Sequence, residues 1–263
     1  DRMVPRVPAA DMSDEVFLGI LEWLEKTHYS KAIHLMGGEP TLHPKFEWIV
    51  ATLLERDYPI TVFSNLATEQ APAYAEKLAD MPVSWVVNVN PPSRWSDEQR
   101  CRIEQALSAL KGKASVTFNV MPGEDDDLWA LDLVERFNLS RSIKVGFVLP
   151  TYTQVNYALS DDEYFTVACK VVALAQEAVR HGVVLQYECG VPTCAFTDEQ
   201  LGILWKCGSA VRSGCCSRLD ITPLGEVIYC LSLATVLSKP YYEFEDYDHA
   251  KDWFETKLAP YRR

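Results

Sequence analysis

The fold of this chain is decided by residues 32–54, which read AIHLMGGEPTLHPKFEWIVATLL. The first five residues form a short apolar run, which ends in the turn Gly37-Gly38-Glu39-Pro40. After the turn, apolar side chains recur at helical spacing, at Phe46, Ile49, Val50, Leu53 and Leu54. The segment therefore predicts a strand, a loop and a helix, in that order.

The same alternation continues on both sides of this segment. Upstream, an amphipathic helix is predicted to begin after Ser13. Downstream, strands are predicted at residues 60–63, 83–89, 115–121, 143–149 and 183–187. Helices are predicted between them at residues 68–79, 97–110, 126–137 and 161–181. Strands that alternate with helices imply a parallel sheet with right-handed crossovers, either doubly wound or closed toward a barrel.

The alternation stops near residue 188, where cysteines, glycines and prolines take over. We therefore predict an α/β domain at residues 1–187, followed at residues 188–263 by a small cysteine-rich domain and the C-terminal tail. The long helix before the boundary carries Phe165, Cys169, Val172 and Val179 at helical spacing, and we expect Cys169 to be a core residue.

The composition excludes several classes of protein. A chain of 263 residues with 48% apolar residues can bury a substantial core. Its net charge of -12 repels a phosphate backbone, so no nucleic-acid partner is expected. No apolar stretch has the length of a membrane helix, and the N-terminus lacks the pattern of a signal peptide. A cytoplasmic protein without a membrane partner is therefore expected.

Polar side chains stand at the ends of the first four predicted strands of the sheet. They are Glu39 on the first, Ser64 and Asn65 on the second, Asn88 and Asn90 on the third, and Ser115, Thr117 and Asn119 on the fourth. Ligand sites of parallel sheets gather at the carboxyl ends of the strands, so these residues are candidates for a binding site. Each asparagine could instead simply form a turn.

The turn after the first strand resembles the GGEP motif of radical S-adenosylmethionine (radical SAM) enzymes. The resemblance implies a partial (β/α)6 TIM-like barrel, in which this loop binds the amino group of S-adenosylmethionine. Gly37 and Gly38 would let backbone carbonyls approach the ligand, Glu39 would complement the ammonium, and Pro40 would stiffen the turn. It further implies that the carboxylate and ribose are bound by residues among Ser64, Asn88, Asn90 and Asn119.

The chain departs from this family in one respect, because no cysteine precedes Cys101. The family places a CxxxCxxC loop after its first strand, and the three cysteines hold the radical-generating [4Fe-4S] cluster. We expect that strand and that loop to lie upstream of Asp1. The alternative is a radical-SAM-fold protein that has lost its radical chemistry.

Six of the eight cysteines lie between Cys189 and Cys230, a density that favours metal ligation in a cytosolic chain over disulfides. Cys215, nine residues, Gly225, four residues and Cys230 resemble the signature of the twitch domain, a short form of the SPASM domain that binds an auxiliary cluster. Residues 219–228 are predicted to form a β-hairpin that turns at Gly225. The ligand set that we predict is Cys189, Cys194, Cys215 and Cys230, with Cys216 and Cys207 in reserve. Tetrahedral zinc would suit the same ligands.

The function that the resemblance implies is reductive cleavage of S-adenosylmethionine to a 5′-deoxyadenosyl radical, which abstracts hydrogen from a substrate. A ribosomally made peptide is the favoured substrate, and a small natural-product or cofactor precursor is the alternative. A reducing partner such as flavodoxin or ferredoxin is expected. Two other interpretations stay open, a non-catalytic binding protein with a structural metal site and a zinc-containing β/α-barrel enzyme.

Overall fold

A computed structural model describes residues 10–123, 127–148, 159–188, 191–209, 211, 218–230, 233–234 and 237–259. Within these ranges the helices are α1 (Asp14–Glu25), α2 (Phe46–Glu55), α3 (Ala71–Lys77), α4 (Asp97–Leu110), α5 (Trp129–Arg136), α6 (Asp161–Arg180), α7 (Asp198–Lys206) and α8 (Tyr247–Leu258). The strands are β1 (Ile33–Leu35), β2 (Ile60–Ser64), β3 (Val83–Asn88), β4 (Ala114–Val120), β5 (Ser142–Phe147), β6 (Val184–Tyr187), β7 (Asp220–Ile221), β8 (Glu226–Ile228) and β9 (Lys239–Pro240).

Strands β1 to β6 form one parallel sheet whose spatial order follows the order of the sequence. A doubly wound sheet reverses direction once, so this order excludes that arrangement. With right-handed crossovers, an order without reversal places the connecting helices on one face of the sheet, as in a β/α barrel. Within the described residues β1 and β6 do not pair, so the barrel is partial. The predicted α/β fold class is confirmed.

The two faces of this sheet differ in polarity. Side chains on the helix-covered face are apolar and fully buried, among them Val62, Trp85, Val116, Ile143 and Leu185. The opposite face carries polar side chains, among them Thr61, Ser84, Asn88, Ser115, Lys144 and Gln186, each at least partly exposed. Because side chains alternate along a strand, both patterns come from the same six segments. The polar face is therefore available for a ligand.

Several helices begin where side chains satisfy free backbone N–H groups. Ser96, Ser160 and Thr197 each form a reciprocal capping box with the Gln or Glu three residues later. Ser13 caps α1 by accepting a hydrogen bond from the Val16 N–H, as predicted. Helix α3 is shorter than predicted and begins at Ala71, next to Pro72, a residue that fits the first turn of a helix but not its interior.

By their contacts, the described residues divide into two compact units. One holds the described residues between positions 31 and 211, with the six-stranded sheet and α2 to α7. The other holds those between 10 and 30 and between 218 and 259, with α1, α8 and a sheet of β7, β8 and β9. The domain boundary at residue 188 stays a prediction.

The second unit contains the predicted hairpin. Strands β7 and β8 pair antiparallel, and the Gly225 N–H donates to the Thr222 carbonyl at 2.9 Å across the turn. Gly225 has φ +81°, which favours glycine. Helix α1 belongs to this unit because Trp23 donates its indole N–H to the Phe244 carbonyl at 3.2 Å and packs against Tyr241 and Tyr247.

The predicted core position of Cys169 is wrong. Cys169 is exposed, and Phe165 and Val179 on the same predicted stripe are 54% and 50% exposed. The buried stripe of α6 runs through Val167, Ala168, Val171, Val172, Leu174, Ala175 and Ala178. The small alanines, not the phenylalanine, therefore face the sheet.

Across the described residues, no helix is both long and apolar enough to span a membrane.

Candidate functional site

The turn after β1 exposes its backbone at the carboxyl edge of the sheet. Met36, Gly37 and Gly38 are exposed, and no atom lies within 4 Å of the position that a Cβ would take at either glycine. Gly37 has φ +156°, within the range that favours glycine. Pro40 begins a short 3-10 turn at Pro40–Leu42, and Glu39 is its N-cap. The loop can therefore present backbone carbonyls to a ligand.

The carboxylate of Glu39 joins this loop to the end of β2. Its Oε1 accepts hydrogen bonds from the Thr41 N–H at 3.2 Å, the Thr41 hydroxyl at 2.7 Å and the Ser64 hydroxyl at 2.8 Å. Its Oε2 accepts one from the Asn65 N–H at 2.8 Å. Since each carboxylate oxygen has about two lone-pair sites, Oε2 retains capacity for a further donor.

Two residues in this network were missed by the sequence analysis. The Thr41 hydroxyl lies 2.8 Å from the Thr68 hydroxyl, which fixes the loop against the segment after β2. Both threonines follow strand ends and could have been noted there. The third member, Ser64, is only 3% exposed, and its oxygen also accepts from the Leu66 N–H at 3.0 Å. Ser64 is thus in contact with Glu39, and its side chain is buried.

The three predicted asparagines, Asn88, Asn90 and Asn119, are exposed near the carboxyl ends of β3 and β4. Asn88 on β3 pairs in register with Thr117 on the neighbouring strand β4. Asn119 therefore lies on the same face as Asn88, two residues further along β4. The structure brings these asparagines to the same edge as Glu39, while Ser64 points to the buried side.

Of a polar cluster on β4 to β6, only Asn119 was predicted. Lys144 on β5 forms an ion pair with Glu188, the residue after β6, with Nζ and Oε1 3.1 Å apart. Gly146 pairs in register with Asn119. A Cβ on Gly146 would lie 2.5 Å from Asn119 Oδ1 and 3.4 Å from Glu188 Cβ. No sequence signal links these residues, because only the strand register brings them together.

Half of the predicted metal ligands lie outside the described residues, namely Cys189 and Cys215, together with the reserve Cys216. Cys194 is exposed in a 3-10 turn, Cys207 ends α7, and Cys230 is half-buried after β8. Among the described residues no three metal-binding side chains come together. The predicted ligand set therefore stays a prediction, as does the choice between iron-sulfur and zinc.

One buried hydroxyl lies beside Cys207. The Tyr187 hydroxyl has no hydrogen-bond partner among the residues that the structure describes. Burial raises the pKa of Tyr187, and an electrostatic interaction with Cys207 raises it further. Tyr187 therefore stays protonated and keeps an unused donor near this thiol.

Comparison with known proteins identifies the fold. No family model matches the sequence, and no curated protein gives a significant match. Among solved structures, anSMEcpe with bound AdoMet matches at a TM-score of 0.62 with 14% identity, over 87% of this chain and 68% of that chain. SuiB from Streptococcus suis bound to its precursor peptide SuiA matches at 0.65 with 14% identity, over 94% and 60%. SuiB bound to S-adenosylmethionine matches at 0.66 with 14% identity, over 93% and 60%.

This chain therefore has the fold of anSMEcpe and SuiB, and it spans between 60% and 68% of the length of those chains.

Proposed function

We propose that this chain is the barrel and auxiliary part of a radical SAM enzyme that modifies a peptide. The observation that carries the proposal is the Gly-Gly-Glu-Pro turn at the carboxyl end of β1, within a sheet of the radical SAM type. The peptide substrate is supported by two neighbours of the same fold. SuiB was solved with the precursor peptide SuiA, and anSMEcpe with the Kp18Cys peptide.

The residues of the turn fit an amino-acid ligand. Glu39 Oε2 has room for one more donor, and the adjacent backbone of Gly37 and Gly38 is exposed. In the proposal, Oε2 and the carbonyls near these glycines bind the ammonium of S-adenosylmethionine. Pro40 fixes the exit from the turn. Ser64 acts as a positioning residue, since its hydroxyl holds Glu39 Oε1.

The exposed asparagines supply the other contacts. Asn88, Asn90 and Asn119 carry amides that both donate and accept, as the carboxylate and the ribose hydroxyls of the ligand require. When bound, a reduced [4Fe-4S] cluster would supply the electron that cleaves S-adenosylmethionine and starts hydrogen abstraction. In the proposal its ligands lie outside these 263 residues, because no cysteine precedes Cys101. The described residues bind and orient the ligand.

For the second metal site we propose an auxiliary [4Fe-4S] cluster on Cys189, Cys194, Cys215 and Cys230. Cys207 and Cys216 are the alternatives for any one of these ligands. Four thiolates complete the coordination of such a cluster, whereas three leave one iron open for a substrate. The support is the twitch-like spacing from Cys215 to Cys230 and the observed hairpin that turns at Gly225.

The proposed function is tested on the full-length protein, purified without oxygen and reduced with dithionite. Formation of 5′-deoxyadenosine from S-adenosylmethionine and the Kd for S-adenosylmethionine are measured. Glu39→Gln keeps the size of the side chain but removes its charge, so we expect the Kd to rise about tenfold, the usual loss for a charge-assisted contact. Glu55→Gln, at the exposed end of α2, is the matched control and should leave the Kd unchanged.

Two results would contradict the proposal. A wild-type protein that binds S-adenosylmethionine but forms no 5′-deoxyadenosine would be a binding protein with this fold. If Glu39→Gln and Glu55→Gln had equal Kd values for S-adenosylmethionine, Glu39 would not bind the ammonium of this ligand.

A further inference from the structure

The loop between β3 and α4 holds one of the predicted asparagines in a fixed backbone conformation. Asn90 is followed by two prolines, Pro91 and Pro92. A residue before proline is restricted to extended backbone, and each proline has a fixed φ. In addition, the Asn90 carbonyl accepts a hydrogen bond from the indole N–H of Trp95 at 2.8 Å. The backbone at Asn90 is therefore fixed by the local sequence and by a contact across the loop.

Helix α4 holds the other end of this loop. The Arg100 guanidinium donates a hydrogen bond to the Pro92 carbonyl at 2.7 Å and lies over the Trp95 ring, 5.7 Å from its centroid. Such a cation–π contact favours one position of the ring. Ser96, the residue after Trp95, is the N-cap of α4 and forms a capping box with Gln99. The loop is thus tied to the start of the helix.

The side-chain amide of Asn90, in contrast, is not used by the loop. Asn90 is exposed, and among the described residues its amide makes no hydrogen bond. Asn65, after β2, shows what a turn-forming asparagine does instead, because its Oδ1 accepts a hydrogen bond from the Ala67 N–H at 2.8 Å. Asn90 forms no such turn. Its two N–H donors and its oxygen are therefore available to a ligand.

A fixed backbone that carries an unused polar side chain is the arrangement that preorganised binding requires. A group already held in its binding position loses less conformational entropy when the ligand arrives. The start of α4 alone does not account for the contacts of Trp95, because the capping box of Ser96 already satisfies the free N–H groups there. The Trp95 indole acts instead on the carbonyl of Asn90, which follows the carboxyl end of β3.

We propose that Trp95, supported by Arg100, is a positioning residue that fixes Asn90 for its contact with S-adenosylmethionine. The inference rests on the proposed function, which assigns Asn90 to this ligand. Trp95 acts through the Asn90 carbonyl and does not itself bind the ligand. Without the indole N–H, the segment between Asn90 and Trp95 samples more conformations, and the ligand has to order the amide as it binds. The affinity then falls although the Asn90 amide is still present.

The test measures the Kd for S-adenosylmethionine on the full-length protein with its clusters. Trp95→Phe keeps an aromatic ring beneath Arg100 and removes the N–H donor. We expect the Kd to rise about three to ten times, the usual effect of one lost hydrogen bond. Asn90→Ala should raise the Kd as well. Trp95→Phe added to Asn90→Ala should raise it no further, because no amide is left to position.

Three further variants separate this role from a general loss of structure. Trp23→Phe removes an indole N–H that donates to a backbone carbonyl in the other compact unit, so it is the matched control and should leave the Kd unchanged. Arg100→Lys should raise the Kd, because lysine lacks the planar guanidinium that lies over the Trp95 ring. Arg136→Lys is the control for this change, since Arg136 lies over the ring of Phe137 at 4.8 Å, and it should have no effect.

The inference is overturned if Trp95→Phe binds S-adenosylmethionine like the wild type. It is also overturned if Trp95→Phe raises the Kd by the same factor with and without the Asn90 amide, since Trp95 would then act on binding by another route. The Glu39→Gln variant tests the proposed function separately. If Glu39→Gln weakens binding whereas Asn90→Ala and Trp95→Phe do not, the proposed function stands and only the role of Trp95 fails.

Discussion

At the scale of single residues, Gly225 combines a positive φ with a crowded Cβ position. Its φ of +81° is costly for any other L-residue, and a Cβ there would lie 3.1 Å from the ring of Tyr241. We expect Gly225→Ala to lower the free energy of unfolding by about 1–3 kcal/mol. Urea denaturation and amide exchange in β7 and β8 would measure the loss.

A second glycine provides the control for this prediction. Gly202 lies in helix α7 without positive φ, and among the described residues no atom outside the helix backbone lies within 4 Å of its Cβ position. Alanine is the better helix former, so Gly202→Ala should raise stability by about 0.5–1 kcal/mol. If Gly225→Ala and Gly202→Ala changed the free energy of unfolding equally, the stability of the hairpin would not depend on the conformation of Gly225.

Single residues also show where reasoning from sequence stops. Glu39 and the asparagines were found because strand ends are visible in the sequence, and the structure places them at the carboxyl edge. Thr68, which contacts Thr41, and Glu188, which pairs with Lys144, were missed. Each partner comes from a different strand or loop, and only the register of the sheet determines which residues meet.

At the scale of elements, the end of α6 is joined to α5 by a histidine between two carboxylates. His181 Nδ1 lies 2.7 Å from Glu135 Oε1, and Nε2 lies 3.2 Å from Glu177 Oε1. The hydrogen bond to Glu135 is the main cause that raises the pKa of His181 above its usual 6.5. The same bond lowers the pKa of Glu135, with a further contribution from Arg141. The three side chains form a pH-dependent link between two helices.

The sign of the pH dependence follows from these shifts. A raised histidine pKa stabilises the fold below the pKa of the unfolded chain, and that stabilisation is lost as pH rises through the folded pKa. We expect a coupling between His181→Gln and Glu135→Gln in a double-mutant cycle at about pH 6, and none at about pH 9. Urea midpoints would measure it. A coupling of equal size at both values would mean that the link does not depend on the charge of His181.

Elements were predictable when their signal was local. The six strands of the large sheet and the start of α1 at Ser13 follow from apolar periodicity and capping residues. The orientation of α6 was predicted incorrectly, because the stripe through Phe165 and Cys169 was taken as the buried one. The helix instead buries small residues such as Ala168 and Ala175, which allow close approach to the sheet. Cys169 accepts a hydrogen bond from Gln200 on α7 at 3.4 Å.

At the scale of the whole molecule, the two compact units divide the chain in a way that the sequence does not reveal. Helix α1 is grouped with residues more than 200 positions later, because Trp23 hydrogen-bonds the Phe244 carbonyl, 221 residues away. Sequence periodicity reports only neighbours within a few turns, so α1 was predicted as part of the α/β domain. This long-range contact joins the segment around Phe244 to helix α1.

The largest prediction for the whole molecule concerns its iron. Full-length protein with both proposed clusters should contain about eight irons, and Cys215→Ala with Cys230→Ala should reduce this to about four. Cys101→Ala with Cys169→Ala is the control, because both cysteines are exposed on helices of the α/β unit and should leave the iron content unchanged. Electron paramagnetic resonance after dithionite reduction would identify which signal disappears. Zinc in place of iron would make the C-terminal site structural, and loss of all iron in the double variant would mean that the barrel holds no cluster and makes no radical.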